Sequence, residues 1–428
     1  MKRITLLLSA TCLALSTSAQ VLTLDSCISM ALKANRQIES ARLETRQRDY
    51  SSAAMKANFL PNFKASARDI YSSADGALTL PPGLSLNYKV ENVIQAGVTV
   101  EQPIYMGGKI TSGYKMSRLA SDIARQNERL TESQVIVETE EAYALLVRAT
   151  ELKAVAIKYD SLLLRLKSDV VAAHSHGMAS HNDVLKVEVK KNEAELQLRQ
   201  AENAQRLARM NLCRQIALPL DSEIEIDGQT TGQTVSNSEL NATSIDFQTT
   251  RPEAIMLGQK VQLAEQKVRA ERADFLPQIG IAAGYSYING LKVNDNRLLD
   301  TGNFAALLNV SIPLFHFGEG RNKVRAARME AQQARVEQQD KLEQMQLEVT
   351  REANNVEEAQ LELDVTTRNL EQAAENLRIS QKSYTAGMES LSDLLEAQTL
   401  YQKALASQVE ARCLLSLSRT RYRKAIGQ

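Results

Sequence analysis

The chain has 428 residues and carries 51 basic and 51 acidic side chains, so its net charge is close to zero. The sequence shows no basic stripe with interleaved aromatic residues, which argues against binding to nucleic acid. It contains 18 Gly, 8 Pro and no Trp, and this low content of helix breakers indicates a largely helical chain.

The first residues predict a secretory signal peptide. The positive pair Lys2 and Arg3 precedes an apolar stretch from Ile4 to Leu15, and small residues before Gln20 offer a cleavage site. This stretch is too short for a membrane anchor, and no later run of about 18 apolar residues occurs. We therefore expect residues 1–19 to be a signal peptide. The exported chain then either stays soluble or enters a membrane as β-strands.

The sequence has neither a cysteine pattern nor a known motif that would indicate catalysis or metal binding. Beyond the signal, the sequence holds Cys27, Cys213 and Cys413, an odd number without close spacing, which fits neither a disulfide framework nor a zinc site. A Gly-rich phosphate loop, H-E-x-x-H and G-x-S-x-G are all missing from the sequence. We therefore expect a protein that is not an enzyme and that uses no cofactor and no metal.

Several short stretches of the sequence occur twice, in the same order. ANFLPNF at Ala57 returns as ADFLPQI at Ala273, 216 residues later. VTVEQPIYMGG returns as LNVSIPLFHFGEG, and GMASHNDVL at Gly177 returns as GMESLSDLL at Gly387, both 210 residues later. A constant order of matched stretches predicts one structural unit that is used twice.

The repeat divides the chain into three parts after the signal. We predict a first repeat at residues 20–219 and a second repeat at residues 251–428. The polar segment between them, residues 220–250, contains DGQTTGQT and links the two copies.

Each repeat holds two long segments without Gly or Pro. The longest runs from Arg321 to Ala386, and as a helix its 66 residues would extend about 100 Å. A helix of that length needs a partner, and apolar residues at steps of seven indicate a coiled-coil seam. The predicted seam residues are Leu342, Val349, Val356, Leu363, Leu370, Leu377 and Tyr384 in the second repeat, and Ile136, Tyr143, Ile157, Leu164 and Val171 in the first.

The longest segment of each repeat stops at a single glycine, Gly177 or Gly387, and another helical segment follows. Glycine at such a place is typical of a helix C-cap that leads into an antiparallel partner. We therefore predict two helical hairpins, with tips at about residues 174–182 and 384–392. The first tip carries a group of histidines, His174, His176 and His181. Because the second tip has no matching histidines, a metal site at this group is disfavoured.

Four stretches between the helices alternate apolar and polar residues, at about 62–72, 92–103, 278–288 and 303–313. Strands of about ten residues with one apolar face are typical of a membrane β-barrel wall, although a half-buried sheet in a soluble domain has the same pattern. Four strands cannot close a barrel, and lipid does not tolerate an open edge. In a membrane, several chains would therefore share one barrel, with eight strands from two chains or twelve from three.

This layout resembles the TolC family of outer-membrane efflux and secretion channels over essentially the whole chain after the signal. The resemblance rests on LTLDSCISMALKANRQIESA at the start, FLP before the first strand of each repeat, QPIYMGGK and IPLFHFGEGR after the second strands, RPE at Arg251, and the two hairpin tips. It implies a mainly α fold with a small β part. Long antiparallel coiled-coil hairpins would form an α-barrel tunnel, and four strands per chain would enter a shared, trimeric, 12-stranded outer-membrane β-barrel. Residues 220–250 would lie in the family's equatorial region.

The resemblance also implies a gate at the periplasmic aperture. In the family, acids at the positions of Asp393 and Glu396 line this constriction, and threefold symmetry would make them rings that favour cations. In the first repeat Asp183 matches Asp393, whereas Lys186 stands in the place of Glu396.

The closed state of some family members uses a basic residue two places after the tip glycine, and here that place holds Glu389. Tyr384 and Asp183 of the aperture are retained, but the closed-state network cannot be carried over intact. The tips are expected to dock a periplasmic adaptor (membrane fusion) protein, because flexible methionine suits an adaptable apolar contact. The tip residues in question are Gly177, Met178, Gly387 and Met388.

The sequence therefore predicts a homotrimeric exit duct in the cell outer membrane that extends into the periplasm. It would passively carry small molecules or proteins for a tripartite efflux pump or a type I secretion system, coupled to an inner-membrane pump through the adaptor. The alternatives are an exported structural coiled coil, which leaves the four strands unexplained, and the adaptor itself, which has one long hairpin where this chain has two.

Overall fold

The computed structural model describes residues 21–71, 75–80, 84–227, 247–293 and 296–427. The predicted signal peptide and most of the predicted inter-repeat segment lie outside these ranges. The chain divides into two compact units. Unit 1 contains the residues up to Ser40, Leu130–Thr250 and the residues from Met345, whereas unit 2 contains Ala41–Arg129 and Arg251–Gln344. Each unit therefore draws residues from both halves of the sequence.

The described chain is mainly helical, as predicted. The shorter helices are α1 (Leu24–Ala34), α2 (Arg36–Ala57), α5 (Phe247–Thr250) and α6 (Pro252–Ala273). The longer ones are α3 (Lys109–Ser175), α4 (His181–Gln215), α7 (Glu319–Thr385) and α8 (Leu391–Ile426). Helices α3 and α7 each have 67 residues. The near absence of Gly and Pro inside them removes the usual causes of a helix break.

Unit 2 contains one antiparallel sheet. Its strands are β2 (Asn62–Ile70), β3 (Asp75–Leu80), β4 (Leu84–Met106), β6 (Gln278–Val293) and β7 (Asn296–Ser311). The strand order is β2–β4–β6–β7. β3 pairs with the first part of β4 and β2 pairs with a later part of the same strand, so both lie along one side of β4. The pairing of β4 with β6 joins the two halves of the sequence, and β2 and β7 form the edges of this path.

The two faces of the sheet differ in polarity. One row of directly opposed residues on the apolar face runs through Ala65, Val98, Tyr285 and Phe304. The neighbouring row on the other face runs through Lys64, Thr99, Gly284 and Ala305. The second face also carries an ion pair between Lys64 Nζ and Glu101 Oε2, 2.6 Å apart. One face of this sheet is therefore suited to an apolar environment and the other to water.

Unit 1 holds the buried helical core. A short parallel pair, β1 (Val21–Leu22) with β5 (Glu225–Ile226), packs beside a cluster that includes Cys27 and Tyr143. The Tyr143 hydroxyl donates to Asp227 Oδ1 at 2.5 Å. Cys27, Cys213 and Cys413 are all buried and free. Burial raises the pKa of the Cys27 thiol to about 11, so this group is an unreactive core residue.

Within the described chain, the seam of the first repeat lies one position earlier than predicted for three of its residues. Ile157, Leu164 and Val171 are exposed in the described chain, whereas the residues one position earlier, Ala156, Leu163 and Val170, are buried. Both series advance in steps of seven and both are apolar, so the sequence pattern could not show which one faces the neighbouring helices of the same chain. In the second repeat, Val349 and Val356 are buried as predicted.

Within the residues that the structure describes, no helix combines the length and the apolar character that crossing a membrane requires.

Candidate functional site at the hairpin tips

The first hairpin tip is a tight turn that follows α3. Gly177 has a φ of +72°, in the left-handed region that favours glycine. The amide of Gly177 donates to the carbonyl of His174 at 2.9 Å, and the amide of Met178 donates to the carbonyl of Ala173 at 2.9 Å. These two bonds satisfy the last carbonyls of the helix in the Schellman pattern and redirect the chain into α4.

The second tip repeats the same construction after α7. Gly387 has a φ of +71°, and its amide donates to the carbonyl of Tyr384 at 3.0 Å. The amide of Met388 donates to the carbonyl of Ser383 at 2.9 Å. The two methionines that leave these turns, Met178 and Met388, are 77% and 78% exposed. Each hairpin therefore presents a flexible apolar side chain on a fixed backbone turn.

The helix that leaves each tip begins with a capping box. Ser180 caps α4 and Ser390 caps α8, each accepting a hydrogen bond from the amide of the aspartate three residues later, Asp183 or Asp393. Each serine hydroxyl in turn donates to the Oδ2 atom of its aspartate at 2.7 Å. The hydrogen bond from Ser180 holds the pKa of Asp183 below its ordinary value, with a smaller contribution from the charge of Lys186. Both aspartates of the predicted gate therefore also fix the geometry of the tips.

Glu389 makes a contact within its own hairpin. Its Oε1 atom accepts a hydrogen bond of 2.7 Å from the hydroxyl of Ser380, which is buried on α7. The carboxylate therefore ties the turn to the helix that precedes it. The sequence identified Glu389 as a departure from the family pattern, but nothing in the sequence indicated Ser380 as its partner.

Glu396 lies on an exposed stripe of α8 that it shares with Asp393. It lines a groove of about 610 Å³ between the first turns of α4 and α8, whose floor includes the apolar residue Leu395. Lys186 and Lys190 line the same groove, and Lys186 Nζ donates to the Ser392 hydroxyl at 3.0 Å. Glu396 thus faces a mixed rather than a purely acidic surface.

Tyr384 is partly buried against the core cluster that joins the two hairpins in unit 1. Burial raises the pKa of its phenol, and the nearby carboxylates of Asp183 and Asp169 raise it further. Tyr384 is therefore a neutral group that couples the end of α7 to the start of α4.

The histidines of the first tip do not form a ligand set. His174 Nδ1 donates to the carbonyl of Ala179 at 2.9 Å, and its ring lies 5.7 Å from that of His181, centroid to centroid. Across the described ranges, no group of three or more His, Cys, Asp or Glu side chains has the arrangement of a metal site. The group instead supports the turn, with His174 bound to the backbone.

Solved structures of outer-membrane channels share this fold. The CmeC outer membrane channel of Campylobacter jejuni matches with a TM-score of 0.79 and 19% identity, over 94% of this chain and 85% of that one. The MtrE outer membrane channel of Neisseria gonorrhoeae, in an open state, matches with a TM-score of 0.75 and 18% identity, over 94% and 88%. The outer membrane protein VceC of Vibrio cholerae matches with a TM-score of 0.77 and 16% identity, over 94% and 96%. No curated protein sequence matches the chain.

The sequence profile of the outer membrane efflux protein family matches residues 27–217 and 251–428. These ranges cover most of the chain and include both hairpin tips. The family is one of channels, not of enzymes, and it confirms the TolC-like resemblance and the outer-membrane location. The chain therefore belongs to the outer membrane efflux protein family and serves as an exit duct for efflux pumps.

Proposed function

We propose that three copies of the chain form one channel, with a 12-stranded barrel in the outer membrane and a tunnel of helical hairpins in the periplasm. The sheet supports this assembly because β2 and β7 end the path of paired strands in the described chain. Lipid does not tolerate an open strand edge, so the edge of one chain needs the edge of another. Four strands along this path from each of three chains give the barrel.

The duplicated sequence gives this trimer six similar units around one axis. The two hairpin tips support the repeat, since both combine a left-handed glycine, an exposed methionine and a Ser–Asp capping box. A tube of six near-equal hairpins would thus have six near-equal tips at its periplasmic end.

The pair of similar tips is the observation that carries the proposed coupling to a pump. An exposed methionine side chain changes its conformation easily and can fit irregular apolar surfaces. Six such side chains on rigid turns therefore suit contact with the helical hairpins of a periplasmic adaptor. The adaptor would connect the duct to an inner-membrane pump, because the duct itself has no source of energy.

We further propose that the aperture of this duct is lined by Asp393 and Glu396, with Asp183 and Tyr384 beside them. Asp393 and Asp183 are positioned by their capping boxes, so they would form a fixed ring of six carboxylates. Glu396 would alternate around the axis with Lys186, its counterpart in the first repeat. The aspartate ring, rather than the glutamates, would therefore carry most of the preference for cations.

Substitution of both tip methionines tests the docking role. The double variant Met178→Asp, Met388→Asp should retain its trimeric mass in detergent but lose transport of a fluorescent efflux substrate, because six charges would enter an apolar contact. The control Met178→Leu, Met388→Leu keeps the apolar contact and should keep transport. Normal transport by the aspartate variant, at normal levels of pump and adaptor, would show that the tips are not the docking surface.

A further inference from the structure

Two helix-to-strand turns of unit 2 have the same geometry but different surroundings. Turn A, residues 57–60, follows α2, and turn B, residues 273–276, follows α6. In turn A the amide of Leu60 donates to the carbonyl of Ala57 at 2.9 Å, and in turn B the amide of Leu276 donates to that of Ala273 at 3.1 Å. All four residues of turn A are exposed, whereas turn B is buried or half-buried and Ala273 is fully buried.

Turn B is covered by a strand-to-helix segment of the other half of the sequence. Segment A, residues 104–108, comprises the last three residues of β4 and the turn into α3, and its Gly107 has a φ of +61°. The approach is so close that a Cβ atom on Gly107 would lie 2.4 Å from the carbonyl oxygen of Ala273 and 2.9 Å from Leu276 Cβ. Lys109 Nζ adds an ion pair with Asp274 Oδ1 at 2.6 Å.

The counterpart of segment A is less covered within the described chain, where the His316 ring contacts the Phe275 ring of turn B with 6.0 Å between centroids. Segment B, residues 314–318, leads from β7 into α7, and it is strongly apolar. Leu314, Phe315 and Phe317 are 90%, 72% and 92% exposed. Phe317 has a φ of +47°, although phenylalanine rarely adopts the left-handed region without contacts that hold it there.

Turn B and Gly107 of segment A thus pack against each other, although Ile104 and Tyr105 at the start of segment A are 57% and 46% exposed. Their counterparts, segment B and turn A, are more exposed on the same chain. Two exposed halves of one contact form a head-to-tail interface, in which each molecule offers its segment to the turn of the next. We propose that segment B of one chain covers turn A of a second copy of this chain. The inference rests on the proposed trimer and assigns one of its contacts.

The proposed contact between segment B and turn A of a second copy is wider and more apolar than the contact between segment A and turn B. Phe317 occupies the place of Gly107, so the neighbouring turn cannot approach as closely as turn B approaches segment A, and the phenyl ring fills the space between them. Glu319 and Asn58 replace the pair Lys109 and Asp274, and Glu319 binds Lys323 of its own helix at 2.6 Å. The interface between copies therefore depends on apolar contact with Leu60 rather than on an ion pair.

A disulfide between chains tests the contact. The counterparts of Phe317 and Leu60 within the chain would place their Cβ atoms 2.9 Å apart, and the wider contact brings the pair towards the roughly 3.5–4.5 Å that a disulfide needs. The double variant Phe317→Cys, Leu60→Cys in membranes should give disulfide-linked dimers and trimers on non-reducing gels. Each single variant and the parent chain, whose three cysteines beyond the signal are buried, should run as monomers.

Fluorescence distinguishes a second copy from lipid as the cover of segment B. The sequence contains no tryptophan, so Phe317→Trp provides a single probe of similar size. In vesicles of brominated lipid, we expect less than about a twofold loss of its emission, because a protein turn covers it. Strong quenching, or the absence of cross-links, in protein of trimeric mass would overturn this contact and leave the proposed trimer standing. Monomeric mass in detergent would overturn both.

Discussion

The apolar face of the sheet allows a quantitative test of membrane insertion. Val98 lies on the apolar face of β4 with Ile94, Ala96 and Val100, and it is 53% exposed. An arginine in lipid near the bilayer midplane of a barrel costs about 2–4 kcal/mol. Val98→Arg should therefore cost each trimer about 6–12 kcal/mol, since it carries three copies of the change. Urea-resistant trimer in the outer-membrane fraction should fall to background.

The adjacent position on the other face provides the matched control. Thr99 lies opposite Lys64 and Gly284. An arginine there meets the like charge of Lys64 across the strands, at a cost of about 0.2–1 kcal/mol, and otherwise enters a polar surface. Thr99→Arg should therefore assemble nearly as well as the parent chain. Equal losses of urea-resistant trimer in the two variants would refute the assignment of the apolar face to lipid.

The tips and the aperture allow two more tests. In planar bilayers under a salt gradient, Asp393→Asn should lower cation selectivity, because it removes three carboxylates from the proposed ring. Lys186→Glu should raise cation selectivity, because it replaces three ammonium groups by carboxylates. Reversal potentials that do not move in either variant would place these groups outside the aperture. Ser180→Ala and Ser390→Ala should each destabilise the start of α4 or α8 by about 1 kcal/mol, because the N-cap hydrogen bond is lost, whereas the corresponding threonine variants keep a cap. Hydrogen exchange of the amides of Asp183 and Asp393 should accelerate about fivefold in the alanine variants, and unchanged protection there would contradict a capping role.

The long helices and their turns could be predicted because their signals are local. A segment free of Gly and Pro continues as a helix, and a single glycine at its end allows the left-handed turn that Gly177 and Gly387 adopt. The full length of the strands was not predicted. β4 begins at Leu84, and its first residues, LSLNYKVE, alternate apolar and polar side chains regularly, so this part carried a strand signal that the prediction missed.

The surroundings of the predicted gate residues depend on contacts that the sequence does not display. Asp393 and Glu396 were predicted to share one helix face, and α8 does carry both on an exposed stripe. The capping role of Asp393 could have been found from the S-x-x-D spacing after each tip, which is a recognisable start of a helix. The position of Lys190 in the groove beside Glu396 could not, because it depends on the packing of α4 against α8.

The exposed residues of the predicted seam fit the same assembly. α3 has two neighbouring apolar stripes at steps of seven, one through Leu163 and one through Leu164, and the chain buries only the first. A helix in a closed ring contacts a neighbour on each side, so it needs two such stripes, whereas a helix in a single hairpin needs one. The exposed stripe is therefore the side that an adjacent hairpin covers in the proposed tunnel. The same holds for segment B and for the edge strands β2 and β7. Segment B is exposed, whereas Gly107 of segment A packs against turn B. In the described chain β2 and β7 each end the path of paired strands, whereas their counterparts β6 and β4 pair with each other.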